Sequence, residues 1–211
     1  MILKVEVFGG IETNSYFYIE EKTLHGFLID PGAEAEKLLK IISEKNFVIE
    51  KILLTHGHFD HIGAANKIQD KLQIPICMQK NGRDYAENPD WNLSIYFDSA
   101  MTLDDVTYLE DYSDITLKDS DFGLKIIPVA GHTTDGAIFY SERDGVAFVG
   151  DSIFRGSYGR TDLPGGNSKQ LFKNIVEKIL TLPPQTILLS GHSEATTVEL
   201  ESSRWQSVIS G

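Results

Sequence analysis

Cysteine is almost absent: Cys77 is the single one in 211 residues. An intrachain disulfide is therefore excluded, and a reducing compartment is compatible with the chain. Cys77 lies in the apolar run Ile74-Pro75-Ile76-Cys77-Met78 and is read as a small buried hydrophobe. Long apolar runs are missing too. No segment approaches the ~20 apolar residues of a spanning helix, and the N-terminal stretch carries Lys4 and Glu6 where an export signal would be apolar. These absences predict a cytoplasmic protein without a membrane partner. Basic residues are outnumbered, 19 against 31 acidic, for a formal net charge of -12. A sequence-independent grip on phosphate backbones needs a basic surface, so nucleic acid is not expected as a partner and a small-molecule substrate is. No repeat, low-complexity tract or linker interrupts the chain, and residues 1–211 are read as one domain.

What the chain does have is Leu53-Leu54-Thr55-His56-Gly57-His58-Phe59-Asp60-His61-Ile62-Gly63, which holds three of its six histidines. Imidazole and carboxylate suit zinc and related first-row metals. If the chain leaves a strand still extended, side chains at i and i+2 lean the same way, so His56 and His58 can grip one ion. A turn into a helix then swings Asp60 and His61 toward a second ion. His25 sits apart, in a polar segment read as a hairpin turn, and is expected to be a surface histidine.

Alternating and apolar runs predict strands over 2–8, 16–19, 27–29, 51–55 and 74–78, with amphipathic helices over 33–45 and 64–72. Residues 81–114 are the least regular and are read as an excursion over one edge of the site, with aromatics packed back on the body, or equally as aromatics that simply form a satellite core. Strands follow over 115–118, 124–130, 137–140, 146–150 and 186–189. Asn167-Ser168 caps a helix with an apolar stripe through Leu171, Ile175 and Ile179, and a terminal helix covers 196–208. Two β-rich halves, each closed by helices, predict two sheets packed face to face with helices outside.

Three further candidate ligands each end a β run and each follow a glycine: His132, Asp151 and His192. Rigid strands aim such ligands, and glycine lets the backbone turn close by. The seven fit two ions. His56, His58 and His132 supply one; Asp60, His61 and His192 supply the other; Asp151 can bridge both. Open coordination positions mark a catalytic site, where a water shared by two divalent ions is acidified to the attacking hydroxide. Asp60 is read as both ligand and the group that orients or deprotonates the nucleophile.

His56-Gly57-His58-Phe59-Asp60-His61, with His132, Asp151 and His192 following in that order, resembles the metallo-β-lactamase superfamily. The likeness covers nearly the whole chain, including Asp30-Pro31-Gly32. The run from Gly150-Asp151-Ser152 through Arg160-Thr161-Asp162-Leu163-Pro164-Gly165-Gly166, and Gly191-His192 with Ala195-Thr196-Thr197, look most like its short glyoxalase II-like branch. The resemblance implies an αββα sandwich of two mixed β-sheets with flanking helices. It also implies a metal-dependent hydrolase of thioesters or related acyl compounds, with two zinc ions, or iron or manganese, as cofactor. The rival it implies is a persulfide dioxygenase with a single iron held by His56, His132 and Asp151. Arg160 either contacts an anionic substrate or pairs with Asp162, and the pairing is the favoured reading. Two departures stand out. Thr133-Thr134-Asp135-Gly136 replaces the Thr-Pro-Gly of many relatives and alters the pocket wall. Full-length glyoxalase II enzymes carry a C-terminal helical extension that helps to bind glutathione, whereas only residues 193–211 follow His192, which makes a glutathione thioester the less expected substrate.

Overall fold

The computed structural model describes residues 1–97 and 100–209. Its first sheet is built from β1 (Ile2–Phe8), β2 (Glu12–Ile19), β3 (His25–Ile29), β4 (Val48–Leu53), β5 (Ile76–Gln79) and β6 (Val106–Leu109), side by side in chain order. The first three strands are antiparallel, and the pairings from β3 to β6 are parallel. Parallel neighbours need crossovers. Helix α1 (Ala35–Lys45) joins β3 to β4, and after the single turn α2 (Phe59–Ile62), α3 (Ala65–Leu72) leads to β5.

The second sheet has the order β12 (Thr196–Thr197), β11 (Ile187–Ser190), β10 (Val146–Gly150), β9 (Ala137–Ser141), β8 (Gly123–Pro128), β7 (Asp114–Thr116). It is antiparallel except between β10 and β11. The crossover between those two strands contains α5 (Ser168–Asn174), whose N-terminus is capped by the Asn167 side chain accepting from the Gln170 amide, and which runs on as a π-helical turn, Ile175–Ile179. Helix α6 (Val198–Ile209) closes the chain.

Side-chain alternation decides the layering. In β2, Tyr16 and Tyr18 point between the sheets and meet Phe122, Phe139 and Phe148 in a cluster that also buries Cys77. Phe17 and Ile19 point the other way, into the core beneath α1 and α3. A third core, with Val149, Leu171, Ile175 and Trp205, lies between the second sheet and α5 and α6. The order is helices, sheet, sheet, helices, as the sequence predicts. Each buried aromatic here contributes on the order of 1.5–3 kcal/mol from its burial.

Two expectations need correcting. His25 is not in a turn: it opens β3, is half-buried, and its Nδ1 lies 2.7 Å from Glu50 Oε1. Residues 81–114 are more regular than their composition suggests, because they hold the short helix α4 (Arg83–Glu87), a 3-10 turn (Ser94–Tyr96) and the edge strand β6. Tertiary pairing overrides weak local propensity in such short pieces.

Candidate metal centre

The site sits where strands of both sheets end. Strand β4 delivers His56 and His58 through Leu54 and Thr55. His58 leaves the chain extended (φ −68°, ψ 147°), and α2 then carries Asp60 and His61. From the other sheet, His132 follows β8, Asp151 follows β10 and His192 follows β11. All seven predicted side chains converge, and six are buried, His192 being partly exposed. Two of the glycines do different work. Gly150 turns the backbone with φ +48°, a region that disfavours side chains, whereas Gly191 leaves the space in which His61 Cε1 and Asp151 Oδ1 stand, 2.5 and 2.6 Å from where a Cβ would be.

Four imidazoles are anchored through Nδ1. His61 donates to Asp30 Oδ2 at 2.9 Å, His132 to the Arg160 carbonyl at 2.6 Å and His192 to the Glu12 carbonyl at 2.7 Å. His56 Nδ1 lies 3.2 Å from Thr55 Oγ1, which spends its own proton on Asp30 Oδ2 at 2.7 Å and so accepts from the ring. Each anchor turns Nε2 toward the centre and, in the neutral ring, leaves that nitrogen its lone pair. His58 is turned round, with Nδ1 facing inward. Asp30 links two of these anchors and also accepts from the Thr55 amide at 2.8 Å.

The inward atoms crowd one another. His58 Nδ1 is 3.1 Å from His56 Nε2 and 2.9 Å from His132 Nε2. Asp60 Oδ2 is 3.1 Å from His192 Nε2 and 3.7 Å from His61 Nε2, and the last two nitrogens are 3.4 Å apart. Asp151 lies between the groups, with Oδ1 3.3 Å from His61 and Oδ2 3.3 Å from His192 and 3.7 Å from His132. Tetrahedral bonds of 2.0–2.1 Å put donors about 3.3 Å apart, so both triads and the carboxylate between them fit divalent cations.

Electrostatics tell the same story. Burial, then neighbouring imidazoles, holds His56 well below its ordinary range and His58 down at about 3, so both are neutral and able to ligate. Burial also lowers His132. Burial opposes charge on His61 and His192 as well. There Asp60 and Asp151 outweigh it, raising His61 and pushing His192 up to about 10, while the imidazoles in turn hold both carboxyls down. Two acidic groups thus demand positive charge between them, whether protons or metal. Asp151 Oδ1 has no well-aligned hydrogen-bond donor, its nearest partner being His61 Nε2 at 3.3 Å, an arrangement that leaves it open to a cation.

Above the site opens a cleft of about 490 Å³ that exposes His58, Asp60, His132, Asp151 and His192. Arg160 lines it, but its guanidinium binds Asp162 through two bonds of 2.8 Å, the arrangement the sequence favours. The 81–114 segment does border the site: Phe97 stacks on Phe59 at 3.9 Å and Tyr85 stands edge-on to His58 at 5.9 Å. Tyr85 donates to the Pro164 carbonyl and accepts from the Thr134 amide, tying three segments together. Sequence reading missed the roles of Asp30 and Tyr85. Asp30 gave a turn signal with Pro31 and Gly32, and Tyr85 lies in a segment without a clear period.

The sequence from residue 9 to residue 192 matches the model of the metallo-beta-lactamase superfamily. It is 36% identical to the probable metallo-hydrolase YqgX of Bacillus subtilis, covering 92% of this chain and 90% of that one. With the hydroxyacylglutathione hydrolase GloC of Haemophilus influenzae the identity is 33%, over 82% of each. Among solved structures, the BLEG-1 B3 metallo-beta-lactamase superposes with a TM-score of 0.89 at 32% identity, covering 96% of this chain and 97% of that one. TTHA1623 in a di-iron-bound form gives 0.82, also at 32% identity, over 95% and 96%. Fold, strand-end ligands and sequence agree, and the chain belongs to the metallo-beta-lactamase superfamily.

Proposed function

We propose that this chain is a metal-dependent thioester hydrolase that takes up water and releases a carboxylic acid and a thiol. The observation that carries the reading is the convergence of five imidazoles and two carboxylates whose candidate ligand atoms face one another at the floor of an open cleft. His56, His58 and His132 would hold one divalent cation, and Asp60, His61 and His192 the other, with Asp151 between them. Cations bound there supply Lewis acidity, which acidifies water and polarises an acyl carbonyl. Zinc suits this mixture of nitrogen and oxygen donors, and iron is the metal held by TTHA1623.

The protein's own groups do the rest. Asp30, Thr55 and the carbonyls of Glu12 and Arg160 lock the rings. Asp60 accepts from the Thr13 hydroxyl at 3.2 Å and is held below the ordinary carboxyl range despite burial, so it stays ionised and orients water rather than storing its proton. The relative GloC is a hydroxyacylglutathione hydrolase, which supports thioester chemistry. The second triad, Asp60, His61 and His192, supports two cations over the single iron of a persulfide dioxygenase.

The test is metal quantification with a panel of S-lactoylglutathione, other thioesters, a lactam and a phosphodiester. Chelation should abolish thioester turnover and a divalent ion restore it. Full activity after chelation, or oxygen uptake on glutathione persulfide with no hydrolysis of the panel, would overturn the proposal.

A further inference from the structure

The walls of the cleft differ sharply from its floor. Ile11, Phe59, Leu93, Tyr96, Phe97 and Phe154 line it, from segments far apart in the chain. Among them Ile11 (40%), Tyr96 (75%) and Phe97 (39%) remain open to solvent, an apolar surface directly beside a strongly polar centre. The wall is held in shape. Asn92, fully buried, donates to the Tyr85 and Met101 carbonyls at 2.9 Å and accepts from the Ser94 amide at 2.9 Å. Leu93 is bent to φ +69°, a conformation that costs a non-glycine residue energy and persists only where surroundings enforce it. On the opposite rim, the space a Cβ on Gly10 would need is taken by Phe97, 3.1 Å away.

Free basic charge is absent from the wall. Arg160 is the one Lys or Arg lining the cleft among the described residues, and both its bonds go to Asp162. Among the described residues, no Lys or Arg on the wall is left over to receive a carboxylate carried at the far end of a substrate's acyl group.

We propose that the cleft selects thioesters whose acyl group is an uncharged apolar chain or ring, seated on Ile11, Leu93, Tyr96 and Phe97. The proposal rests on the hydrolase reading for the reaction but not for the binding. Apolar contact rewards each added methylene until the cleft is filled, whereas a carboxylate at the end of a chain seated on this wall would be desolvated with no Lys or Arg beside it.

The experiment measures, by calorimetry on the metal-loaded protein, the affinity of N-acetylcysteamine thioethers with S-alkyl chains from ethyl to octyl, which cannot be hydrolysed. A parallel series ends in a carboxylate. Affinity should rise about threefold to fourfold per methylene, and each carboxylated ligand should bind at least about tenfold more weakly than its alkyl counterpart. In Tyr96→Ser and Phe97→Ser, the increment per methylene should shrink, with metal content and circular dichroism as checks on folding. Ile11→Ser serves if either variant fails to fold. Affinity that ignores chain length, or favours the carboxylated ligands, would overturn the proposal. The corresponding thioesters are then assayed. A steep binding series without turnover would sink the hydrolase reading alone, and turnover with a flat series would sink the apolar site alone.

Discussion

Nε2 of His132 lies 2.9 Å from Nδ1 of His58, a residue 74 positions earlier in the chain. With the Nδ1 proton of His132 committed to the Arg160 carbonyl, two basic nitrogens face each other, and a shared cation is what relieves that opposition. Removing one of them should empty the position. His58→Ala is expected to lower bound metal and to cut turnover by at least about 100-fold, since even groups behind a ligand are typically worth 10–100-fold. Metal analysis and kinetics on the folded variant check this, and wild-type turnover would rule the assignment out.

Asp30 touches no inward atom, yet it orients His61 directly and His56 through Thr55. Asp30→Asn keeps the shape but weakens acceptance from both. Metal affinity, read by competition with a chromophoric chelator, should fall about 10–100-fold. Unchanged affinity would mean that the rings hold their tautomers without it.

Asp135 is buried, neither oxygen meets a well-aligned donor, and burial pushes its carboxyl up to about 7. The unfolded chain releases this proton near 3.8, the ordinary value. Folding therefore takes up a proton between those limits, and stability should decline as pH rises from about 4 to about 7, by up to ~4 kcal/mol from this one group. Asp135→Asn should remove that part of the slope and be the more stable form at pH 8. Denaturant titrations of both proteins, with metal chelated, compare the slopes; parallel curves would refute the assignment.

Burial in the inter-sheet core raises the Cys77 thiol to about 11. At pH 8 its thiolate fraction is about 100-fold below that of a thiol at the ordinary value. Iodoacetamide should leave native protein unlabelled and modify it fully in urea. Rapid labelling of the native form would show that the core opens or that the thiol is activated.

The early cluster was legible because local geometry alone sets it. An extended His56-Gly57-His58 aims two rings one way, and a single helical turn redirects Asp60 and His61. His132, Asp151 and His192 were legible for a related reason, since each ends an apolar run and such ends lie at the rim of a sheet. Reading each preceding glycine as a backbone turn was sound for Gly150, with φ +48°, but at Gly191 the need is space for His61. That neighbour is distant in sequence and cannot be read from spacing. Residues 81–114 resisted for another reason. Their helix, 3-10 turn and strand are too short for periodicity to register, and contacts with the body stabilise them.

Residue type and local spacing were enough to specify the donor chemistry, the alternation that sorts each strand's faces, and the layering that follows, because these depend on neighbours a few positions away. Which nitrogen each ring presents, that Asp30 stands behind two of them, that Arg160 is spent on Asp162, and that an aromatic wall lines the cleft were decided by the packing of the two sheets and the 81–114 segment. Those relations join atoms far apart in the chain, and only the folded backbone sets the distances between them.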